Sequence, residues 1–403
     1  MSFHSTQDGR GGAAVRTALV IGGGVAGPVT ALALRKAGIT ATVYEAYPTA
    51  ADGVGAWLAL APNGLAALRT VGAEQAVEAL GQPVPGMVMA DGDGHRFAAF
   101  DGFAELPPTL AMPRAALYRA LTDHAADEGI SFAYGKRLVS AEETPDGVTA
   151  RFSDGTSATA DLLVGADGIR STVRTLIDPH APGPEYGGVL SFGGYATDSG
   201  VEAEPGTMYF AFGRTFIGHW RGPDGQLIWF AGLPTDTPPD PAGLARVPAA
   251  EWLARLRAAF AGHVPGERLL HHTDPDRLMA VGRMERMPSV PHWHRGRMVL
   301  VGDAAHAPSS SSGQGASLAI ESAVELARCL RDLPTPAEAF TAYAGLRRER
   351  VEAIGRNAAA ANEIKAGKAG LGAAAAFPTP EQMLRPLHFH RIDWEEAVTG
   401  SGR

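Results

Sequence analysis

The sequence predicts an α/β fold in which a mainly antiparallel sheet is inserted into a domain built on a parallel sheet, with helices at the C-terminal end. Three segments carry a short apolar run followed at once by glycine, namely Thr17–Gly24, Asp161–Gly168 and Arg297–Ala304. Such continuous apolar runs are typical of strands that are buried on both faces of a parallel sheet. Because α/β proteins bind ligands at the carboxyl ends of these strands, the three glycine-containing ends mark the candidate site.

The inserted sheet is predicted from an aromatic region between the second and third segments, at about Tyr186 to Val281. Strand-like runs follow one another there at Thr207–Phe212, Phe216–Trp220 and Leu227–Gly232, with turn signals between them. Neighbouring strands joined by short turns form antiparallel sheets. A helix is predicted to follow at about 249–261.

The region after Gly315 is predicted to be helical. Apolar residues from Ala316 to Leu330 recur at the spacing of one helix face, and this amphipathic helix should end before Pro334. A further helical stretch is predicted at about 336–368.

Composition and charge limit the classes of function. The chain has 403 residues, of which 45% are hydrophobic and 19% charged, as expected for a globular protein of two or three domains at roughly 100–200 residues each. Its formal net charge of −8 offers no broad attraction for nucleic acid or an anionic membrane surface. We therefore expect neither as a partner.

Cysteine use and the N-terminal region indicate a cytoplasmic protein. The single cysteine, Cys329, excludes an intrachain disulfide and a cysteine-based metal site. The uncharged run Ala18–Leu34 is interrupted by four glycines and Pro28, and it is at the lower limit of a membrane span, so we do not interpret it as a targeting segment. Residues 1–14 are polar and glycine-rich and are left out of the predicted fold.

The first of the three segments carries a dinucleotide-binding fingerprint of the Rossmann type. Gly22–Gly27 satisfies G-x-G-x-x-G between a predicted strand, Thr17–Ile21, and a predicted helix that runs to Lys36. Glu45 stands eighteen residues after the last glycine, at the end of the next predicted strand, where an acidic side chain can accept hydrogen bonds from a ribose. NAD and FAD share this fingerprint, so it leaves the choice of dinucleotide open.

The other two strand ends indicate FAD through a resemblance. Gly165–Arg174 (GADGIRSTVR) and Val301–Pro308 (VGDAAHAP) resemble two further signatures of the FAD-dependent aromatic hydroxylases. These are the single-component flavoprotein monooxygenases similar to para-hydroxybenzoate hydroxylase. Further matches to that family are Pro62–Gly64, Pro113–Leu117 and Gly313–Ala316. The resemblance covers about residues 17–350, and the chain stops too soon for a thioredoxin-like domain, so a short type is expected.

The resemblance implies which residues hold FAD. It assigns Glu45 to the adenosine ribose, Arg114 to the phosphate or ribityl part, and Asp303 to the ribityl hydroxyls. Asp167 either serves the cofactor loops or is a structural residue that ties turns, and both interpretations stay open. The full set of implied cofactor-binding residues is Gly22, Gly24, Val25, Ala26, Gly27, Glu45, Arg114, Val139, Asp167, Asp303, Pro308, Gly313, Gly315 and Ala316.

The loop Ser309–Gly315 leads directly into the helix predicted from Ala316. Its N–H groups can face the pyrimidine end of the flavin, where the reduced form is negatively charged and a helix N-terminus is stabilising. A plain Ser-rich linker is the alternative interpretation. Pro308 is expected to pack beside the flavin.

The predicted domain boundaries follow from these assignments. An FAD-binding domain is expected in three parts, and a substrate domain in two parts, before a C-terminal helical region and tail. The parts are 15–75, 105–180 and 285–350 for the FAD-binding domain, 76–104 and 181–284 for the substrate domain, and 351–403 for the C-terminal region.

The activity implied by the resemblance is that of an FAD-dependent hydroxylase. NADPH or NADH would reduce the bound FAD, and molecular oxygen would then give a flavin 4a-hydroperoxide that hydroxylates an aromatic or polycyclic small molecule. Epoxidation, Baeyer–Villiger insertion, and an oxidase or dehydrogenase that moves only hydride remain open alternatives. No second fingerprint exists for the nicotinamide nucleotide, so it should bind transiently. No catalytic residue is assigned, and no metal is expected.

Aromatic residues of the insert, together with Trp57 from the FAD-binding domain, are the candidates for the substrate cavity, although strand alternation should point about half of them elsewhere. Alanine at Phe210, His219 or Trp229 is expected to alter substrate affinity and coupling. The complete set of candidates is Trp57, Tyr195, Tyr209, Phe210, Phe212, His219, Trp220 and Trp229.

Overall fold

The computed structural model describes residues 15–49, 56–365 and 378–399. The predicted N-terminal tail and the predicted helix end near Lys368 lie outside these residues. The strands are β1 Thr17–Ile21, β2 Thr40–Tyr44, β3 Trp57–Leu60, β4 Gln82–Pro83, β5 Gly86–Asp91, β6 Arg96–Phe100, β7 Leu110–Pro113, β8 Ser131–Ala133, β9 Leu138–Thr144, β10 Gly147–Phe152, β11 Ser157–Ala160, β12 Leu162–Gly165, β13 Glu185–Ala196, β14 Thr207–Phe212, β15 Phe216–Arg221, β16 Leu227–Pro234, β17 Met279–Arg286, β18 His294–Arg295 and β19 Met298–Leu300.

The helices separate and cover these strands. They are α1 Ala26–Lys36, α2 Pro62–Thr70, α3 Glu74–Glu78, α4 Arg114–Asp127, α5 Thr172–Ile177, α6 Pro241–Arg246, α7 Ala249–Ala259, α8 Val264–His271, α9 Asp303–His306, α10 Gly315–Asp332, α11 Pro336–Lys365 and α12 Pro380–His388. Within the part of the chain that the structure describes, no helix is both long and apolar enough to cross a bilayer.

A parallel sheet carries all three glycine-containing strand ends. Its order is β18-β19-β12-β1-β2-β8, and every pair is parallel except the edge pair of β18 and β19. The whole of β12 is buried, as the continuous apolar runs predict for strands that are covered on both faces. The predicted α/β class is confirmed.

A seven-stranded sheet holds the aromatic strands, in the order β17-β13-β16-β15-β14-β5-β6. All its pairs are antiparallel except that of β14 and β5. Strands β5 and β6 come from the first quarter of the chain. The sheet therefore joins two distant stretches of sequence.

Two helices cover one face of this sheet, which we call the outer face. Strand residues Phe192 and Trp229 pack there against Trp252 of α7 and Leu269 of α8. The helix predicted at about 249–261 is confirmed as α7, and a second helix that was not predicted, α8, follows it. Phe260 caps α7, Gly262 has a φ of +78°, and α8 has proline in its first turn, so the chain turns before the second helix begins.

The helices that follow the third strand end pack on the parallel sheet. Helix α10 lies between α1, α2 and α11, and its residues from Ser317 to Cys329 are buried. The predicted amphipathic stripe is thus part of a helix that is enclosed on nearly all sides. Helix α12 returns to contact α2 and also β6 of the seven-stranded sheet. The C-terminal region therefore packs on both parts of the molecule.

Candidate active site

The three motif-bearing loops meet at one edge of the parallel sheet. Strand pairing places Tyr44, Ile21, Gly165 and Leu300 in one row at the carboxyl ends of β2, β1, β12 and β19. A Cβ on Gly22 would lie 2.4 Å from the carbonyl oxygen of Ala166 in the second loop. A Cβ on Gly302 would lie 3.0 Å from that of Ala26 on α1. The loops therefore form one site.

The glycine turn has two glycines that the fold requires and one that faces open space. Gly22 has a φ of +108°, and a Cβ on Gly27 would lie 1.9 Å from the carbonyl oxygen of Gly22. A Cβ on Gly24 would meet nothing within 4 Å. Val25 caps α1 without a side-chain hydrogen bond, so N–H groups at this helix start remain available to an anion. An open surface at a helix N-terminus fits the pyrophosphate of a dinucleotide.

Glu45 is oriented by backbone donors at this turn. The Gly23 N–H donates to its Oε2 at 2.6 Å, and the Tyr47 N–H donates to its Oε1 at 2.9 Å. Each carboxylate oxygen can accept a further bond, which suits two ribose hydroxyls. The Lys136 N–H donates to the Glu45 carbonyl, which brings the start of β9, with the exposed Val139, to the same place.

Asp303 and Arg114 both lie near a third residue, Tyr118, because the charges of both act on its pKa. No described residue donates a hydrogen bond to the Asp303 carboxylate; burial raises its pKa, and the charge of Arg114 opposes that rise. The Nε of Arg114 donates to the Tyr118 hydroxyl at 2.6 Å. Burial raises the pKa of Tyr118. The charge of Arg114 opposes that rise, and the charges of Asp303 and Glu45 add to it. A partly buried carboxylate that accepts no hydrogen bond from a described residue fits a polyol such as the ribityl chain.

Tyr118 was missed by sequence reasoning. It follows Arg114 by four residues on α4, the spacing at which side chains of one helix face meet. That spacing is the signal that could have found it.

Asp167 is used by the protein itself. The Ser171 hydroxyl donates to its Oδ1 at 2.5 Å, and the N–H groups of Thr172 and Val173 donate to its Oδ2 at 2.7 and 3.0 Å. The carboxylate therefore closes the N-terminus of α5. Arg174, on the same helix, donates to the carbonyl of Ala304 at 3.1 Å, which fixes the second loop to the third. These contacts favour the structural interpretation of Asp167.

The loop before α10 is fixed to α11 on one side, and its glycines face open space on the other. Ser309 is buried, and the Ser311 hydroxyl donates to Oδ1 of Asn362 at 3.2 Å. A Cβ on Gly313 or Gly315 would meet nothing within 4 Å. These contacts are unlike those of a plain linker, because the loop is fixed to α11 while its glycines face open space. Helix α10 has no side-chain cap, so its first N–H groups fit the negative end of a reduced flavin.

His306 is enclosed behind the third loop. Its Nε2 lies 2.7 Å from the Ser322 hydroxyl. Burial, and then the charge of Arg347, lower the pKa of His306 to about 3. The imidazole is therefore neutral near pH 7, and its contacts order the loop.

The face of the seven-stranded sheet opposite α7 and α8, which we call the inner face, contacts β3, β7 and α12. On β14, β15 and β16 the inner positions hold only apolar residues: Met208, Phe210, Phe212, Phe216, Gly218, Trp220, Ile228, Phe230 and Gly232. Phe210, Phe230 and Tyr195 are only half-buried there. The Trp57 Nε1 donates to the Tyr195 hydroxyl at 2.9 Å, so β3 also contributes to this surface.

Three of the aromatic candidates face the other way. Tyr209, His219 and Trp229 pair across β14, β15 and β16 in one row that points to α7 and α8. Tyr209 stacks on His219 with ring centroids 5.1 Å apart, and the Trp229 Nε1 donates to Thr273 at 2.9 Å. All three are buried. The expectation that His219 and Trp229 line the cavity was therefore wrong, because the register places them on the outer face.

A cluster of possible metal ligands lies away from this site. Asp91, Asp93 and His95 bring ligand atoms within 4.8 Å of one another at the turn between β5 and β6. The Asp91 carboxylate accepts from the N–H groups of Asp93 and His95, so it orders the hairpin turn.

Comparison with known proteins identifies the class of this site. The sequence profile of the FAD binding domain family matches residues 16–224 and 253–358. An aurachin C monooxygenase/isomerase from Stigmatella aurantiaca is 33% identical over 394 residues, which cover 94% of this chain and 96% of that one. An FAD-dependent urate hydroxylase from Klebsiella pneumoniae is 32% identical over 365 residues, which cover 87% and 91% of the two chains.

A solved structure shows the same architecture with its cofactor. Klebsiella pneumoniae HpxO complexed with FAD and uric acid superimposes with a TM-score of 0.79 at 27% identity, and the match covers 93% of this chain and 96% of that chain.

Proposed function

The chain belongs to the FAD binding domain family and is an FAD-dependent monooxygenase, and from that premise we propose that its substrate is a neutral, apolar, fused-ring aromatic molecule. The observation that carries this proposal is the inner face of the seven-stranded sheet. Every inner position of β14, β15 and β16 is apolar. A buried carboxylate or ammonium group on the substrate would have no charged partner on these three strands, and burying an unpaired charge is strongly unfavourable.

The shape of the inner face favours flat rings. A Cβ on Gly218 would lie 2.3 Å from Cζ of Phe230, so the Phe230 ring lies directly over the strand. Its centroid is 6.1 Å from that of Phe210, in an edge-to-face arrangement, and 6.3 Å from that of Trp220. Aromatic walls with few polar groups are typical of sites for apolar ring systems.

The polar atoms around this face pair with one another. The Trp220 Nε1 donates to the Gln82 side chain at 3.2 Å, and Trp57 donates to Tyr195. The Tyr195 hydroxyl still has a proton to donate. We propose that it orients a single phenol or carbonyl oxygen of the substrate.

The mechanism divides between cofactor and protein. When bound, FAD would supply the acceptance of a hydride from NADH or NADPH and the activation of molecular oxygen for transfer to the substrate. We propose that the Gly22–Gly27 turn, Glu45, Arg114, Asp303 and the loop Pro308–Ala316 hold the cofactor. The start of α10 stabilises negative charge at the flavin edge. The inner face excludes water and orients the ring.

We also propose a division into domains. Residues 76–104 and 181–284 would act as the substrate domain, since they supply most of the seven-stranded sheet and the helices on its outer face. The FAD-binding domain would comprise 15–75, 105–180 and 285–350. The aurachin C monooxygenase/isomerase and the urate hydroxylase match this chain over 96% and 91% of their own lengths.

The substrate proposal is tested with matched probes that differ in charge. Oxidation of NADH and NADPH by the purified FAD protein is measured with 2-naphthol and with 2-naphthoate, and then with other neutral and anionic pairs of fused-ring compounds. We expect neutral members to stimulate oxidation at least tenfold more than their carboxylates. Stimulation by the carboxylates alone would overturn the proposal.

A further inference from the structure

A buried polar network joins the loop before α10 to the C-terminal half of the chain. Asn63, Gln314 and Glu321 are each at most 2% exposed. Arg347 Nη2 donates to Glu321 Oε2 at 2.6 Å, and Arg350 Nη2 donates to Glu321 Oε1 at 3.0 Å. Burial alone would raise the pKa of Glu321, but the two guanidinium groups outweigh it and hold that pKa at about 2. The carboxylate is therefore charged and can only accept hydrogen bonds.

The charged carboxylate fixes the orientation of the neighbouring amide. Asn63 Nδ2 donates to Glu321 Oε1 at 2.7 Å and to Gln314 Oε1 at 3.0 Å. A reversed Asn63 amide would place its oxygen against the carboxylate, so the NH2 group must face Glu321. This orientation leaves Asn63 Oδ1 buried without a partner among the described residues. Both hydrogen bonds of the Asn63 amide are therefore donated by Nδ2, and its Oδ1 accepts none from a described residue.

The orientation of the Asn63 amide also fixes the orientation of the Gln314 side-chain amide. Because Asn63 presents a donor, Gln314 must turn its Oε1 toward it, and Nε2 then points the other way. No described residue accepts a hydrogen bond from that Nε2. Gln314 stands between Gly313 and Gly315, where an added Cβ would meet nothing within 4 Å. The donor end of the amide is thus the end left without a protein partner, beside a loop whose two flanking glycines face open space.

We propose that Glu321 and Asn63 are positioning residues that hold Gln314 with its Nε2 donor directed at the electron-rich edge of the flavin. The inference rests on the proposed function of this site. A directed donor stabilises negative charge on reduced FAD, in addition to the N-terminus of α10. We call the Glu321 carboxylate and the amides of Asn63 and Gln314 the relay. The relay therefore sets the balance between oxidised and reduced cofactor.

A purely structural role predicts something different. Arg350 also donates to the carbonyl groups of Pro386 and Leu387, so Glu321 helps to anchor the C-terminal region. Loss of that anchor alone would lower the unfolding temperature. It would leave the properties of bound FAD unchanged.

The decisive variant reverses the relay. Asn63→Asp combined with Glu321→Gln keeps one carboxylate and one amide at the two positions. The new carboxylate then requires a donor from Gln314, which turns Gln314 Oε1 toward the flavin. The midpoint potential and absorption spectrum of bound FAD are measured in the purified holoprotein. We expect reduced FAD to be destabilised about tenfold relative to oxidised FAD, which for a two-electron couple is about 30 mV more negative.

Two further variants complete the test. Gln314→Leu removes the donor alone and should shift the potential in the same direction. Glu325→Gln is the matched control, because Glu325 is another buried carboxylate of α10, bound by Arg328 at 2.7 Å, with no contact to Asn63. We expect that control to lower the unfolding temperature and leave the potential at the wild-type value.

The outcomes separate the relay from the proposed function. If the reversed pair and Gln314→Leu bind FAD with wild-type potential and spectrum, and differ only in unfolding temperature, the network is structural and the relay is refuted. If the wild-type protein binds no FAD, the proposed function itself fails. A shift in Glu325→Gln equal to that of the reversed pair would also refute the relay.

Discussion

Asp303 bears most directly on cofactor binding at the scale of single residues, because its carboxylate is partly buried and receives no hydrogen bond from a described residue. Glu45 differs in that two backbone N–H groups already orient it. Both carboxylates have lone pairs left for hydroxyl donors. The two residues are therefore suited to bind different parts of one dinucleotide.

We expect Asp303→Ala and Glu45→Ala each to weaken FAD binding about 10- to 100-fold, since a hydrogen bond to a charged group contributes about 1.5–3 kcal/mol. Fluorescence titration of the apoprotein with FAD measures the affinity. Glu142→Ala, at an exposed position of β9, is the control. Wild-type affinity in both site variants would contradict the assignment.

Sequence reasoning reached the residues of the glycine turn and the segments that contain Asn63 and Gln314, but it missed the contacts that join these two residues to Glu321, for a physical reason. The glycines and Glu45 lie within one strand–helix–strand unit, where local geometry fixes their spacing. Asn63 and Glu321 meet across 258 positions of the chain, so no local pattern connects them. Asp167 was left between two roles because its partners follow it within six residues but their orientation is not visible in sequence.

At the scale of elements, strand alternation determines which side chains of the seven-stranded sheet face the flavin domain. The turn signals predicted the strand Thr207–Phe212 with the bounds that the structure has. They could not predict which alternate set of side chains faces the flavin domain, because that choice depends on which face α7 and α8 cover. The outer row of Tyr209, His219 and Trp229 is already packed, whereas Phe210 and Phe230 are half-buried.

Coupling of NAD(P)H oxidation to oxygenation should therefore depend on the inner residues. We expect Phe210→Ala and Phe230→Ala to raise the hydrogen peroxide released per NAD(P)H at least twofold with FAD still bound, because a loosened cavity admits water to the reacting centre. Trp229→Phe, on the outer face, should lower stability by about 1 kcal/mol through loss of its hydrogen bond to Thr273 and keep wild-type coupling. The opposite pattern would show that the faces have been assigned wrongly.

Buried histidines affect the pH dependence of stability at the scale of the whole molecule. Burial, and then the charge of His263, lower the pKa of His219 from 6.5 to about 4, and neither ring nitrogen has a hydrogen-bond partner among the residues that the structure describes. The unfolded chain takes up a proton on this group below about pH 6.5, while the folded chain stays neutral until about pH 4. Its contribution to stability is therefore complete above pH 6.5 and is lost as the pH falls toward 4.

We expect the urea midpoint of unfolding to fall between pH 7 and pH 5, and His219→Phe to reduce that fall. The phenyl ring keeps the stacking on Tyr209 and removes the titrating group. Each proton that the unfolded chain binds and the folded chain does not bind lowers the free energy of unfolding by about 1.4 kcal/mol per unit of falling pH. His271→Phe, at an exposed position, is the control, and an unchanged pH dependence in His219→Phe would contradict the expectation.

The overall architecture could be predicted because three short loops specify it. They lie at neighbouring strand ends, so one site explains all three motifs. The substrate could not be predicted to the same depth. The apolar inner face is defined by register and by the return of β5, β6 and α12, and these pairings connect distant parts of the chain.

The central claim is that the protein transfers one oxygen atom from molecular oxygen to an aromatic ring. The most direct test is mass spectrometry of the product formed under ¹⁸O₂ in ordinary water, with NADPH or NADH and a neutral fused-ring compound that stimulates oxidation. We predict a product that carries one ¹⁸O atom, and no label when the experiment is repeated with ¹⁶O₂ in H₂¹⁸O. A product without label, or a dehydrogenated product with hydrogen peroxide equal to the sum of the NAD(P)H consumed and the product formed, would instead identify an enzyme that moves only hydride and would contradict the claim.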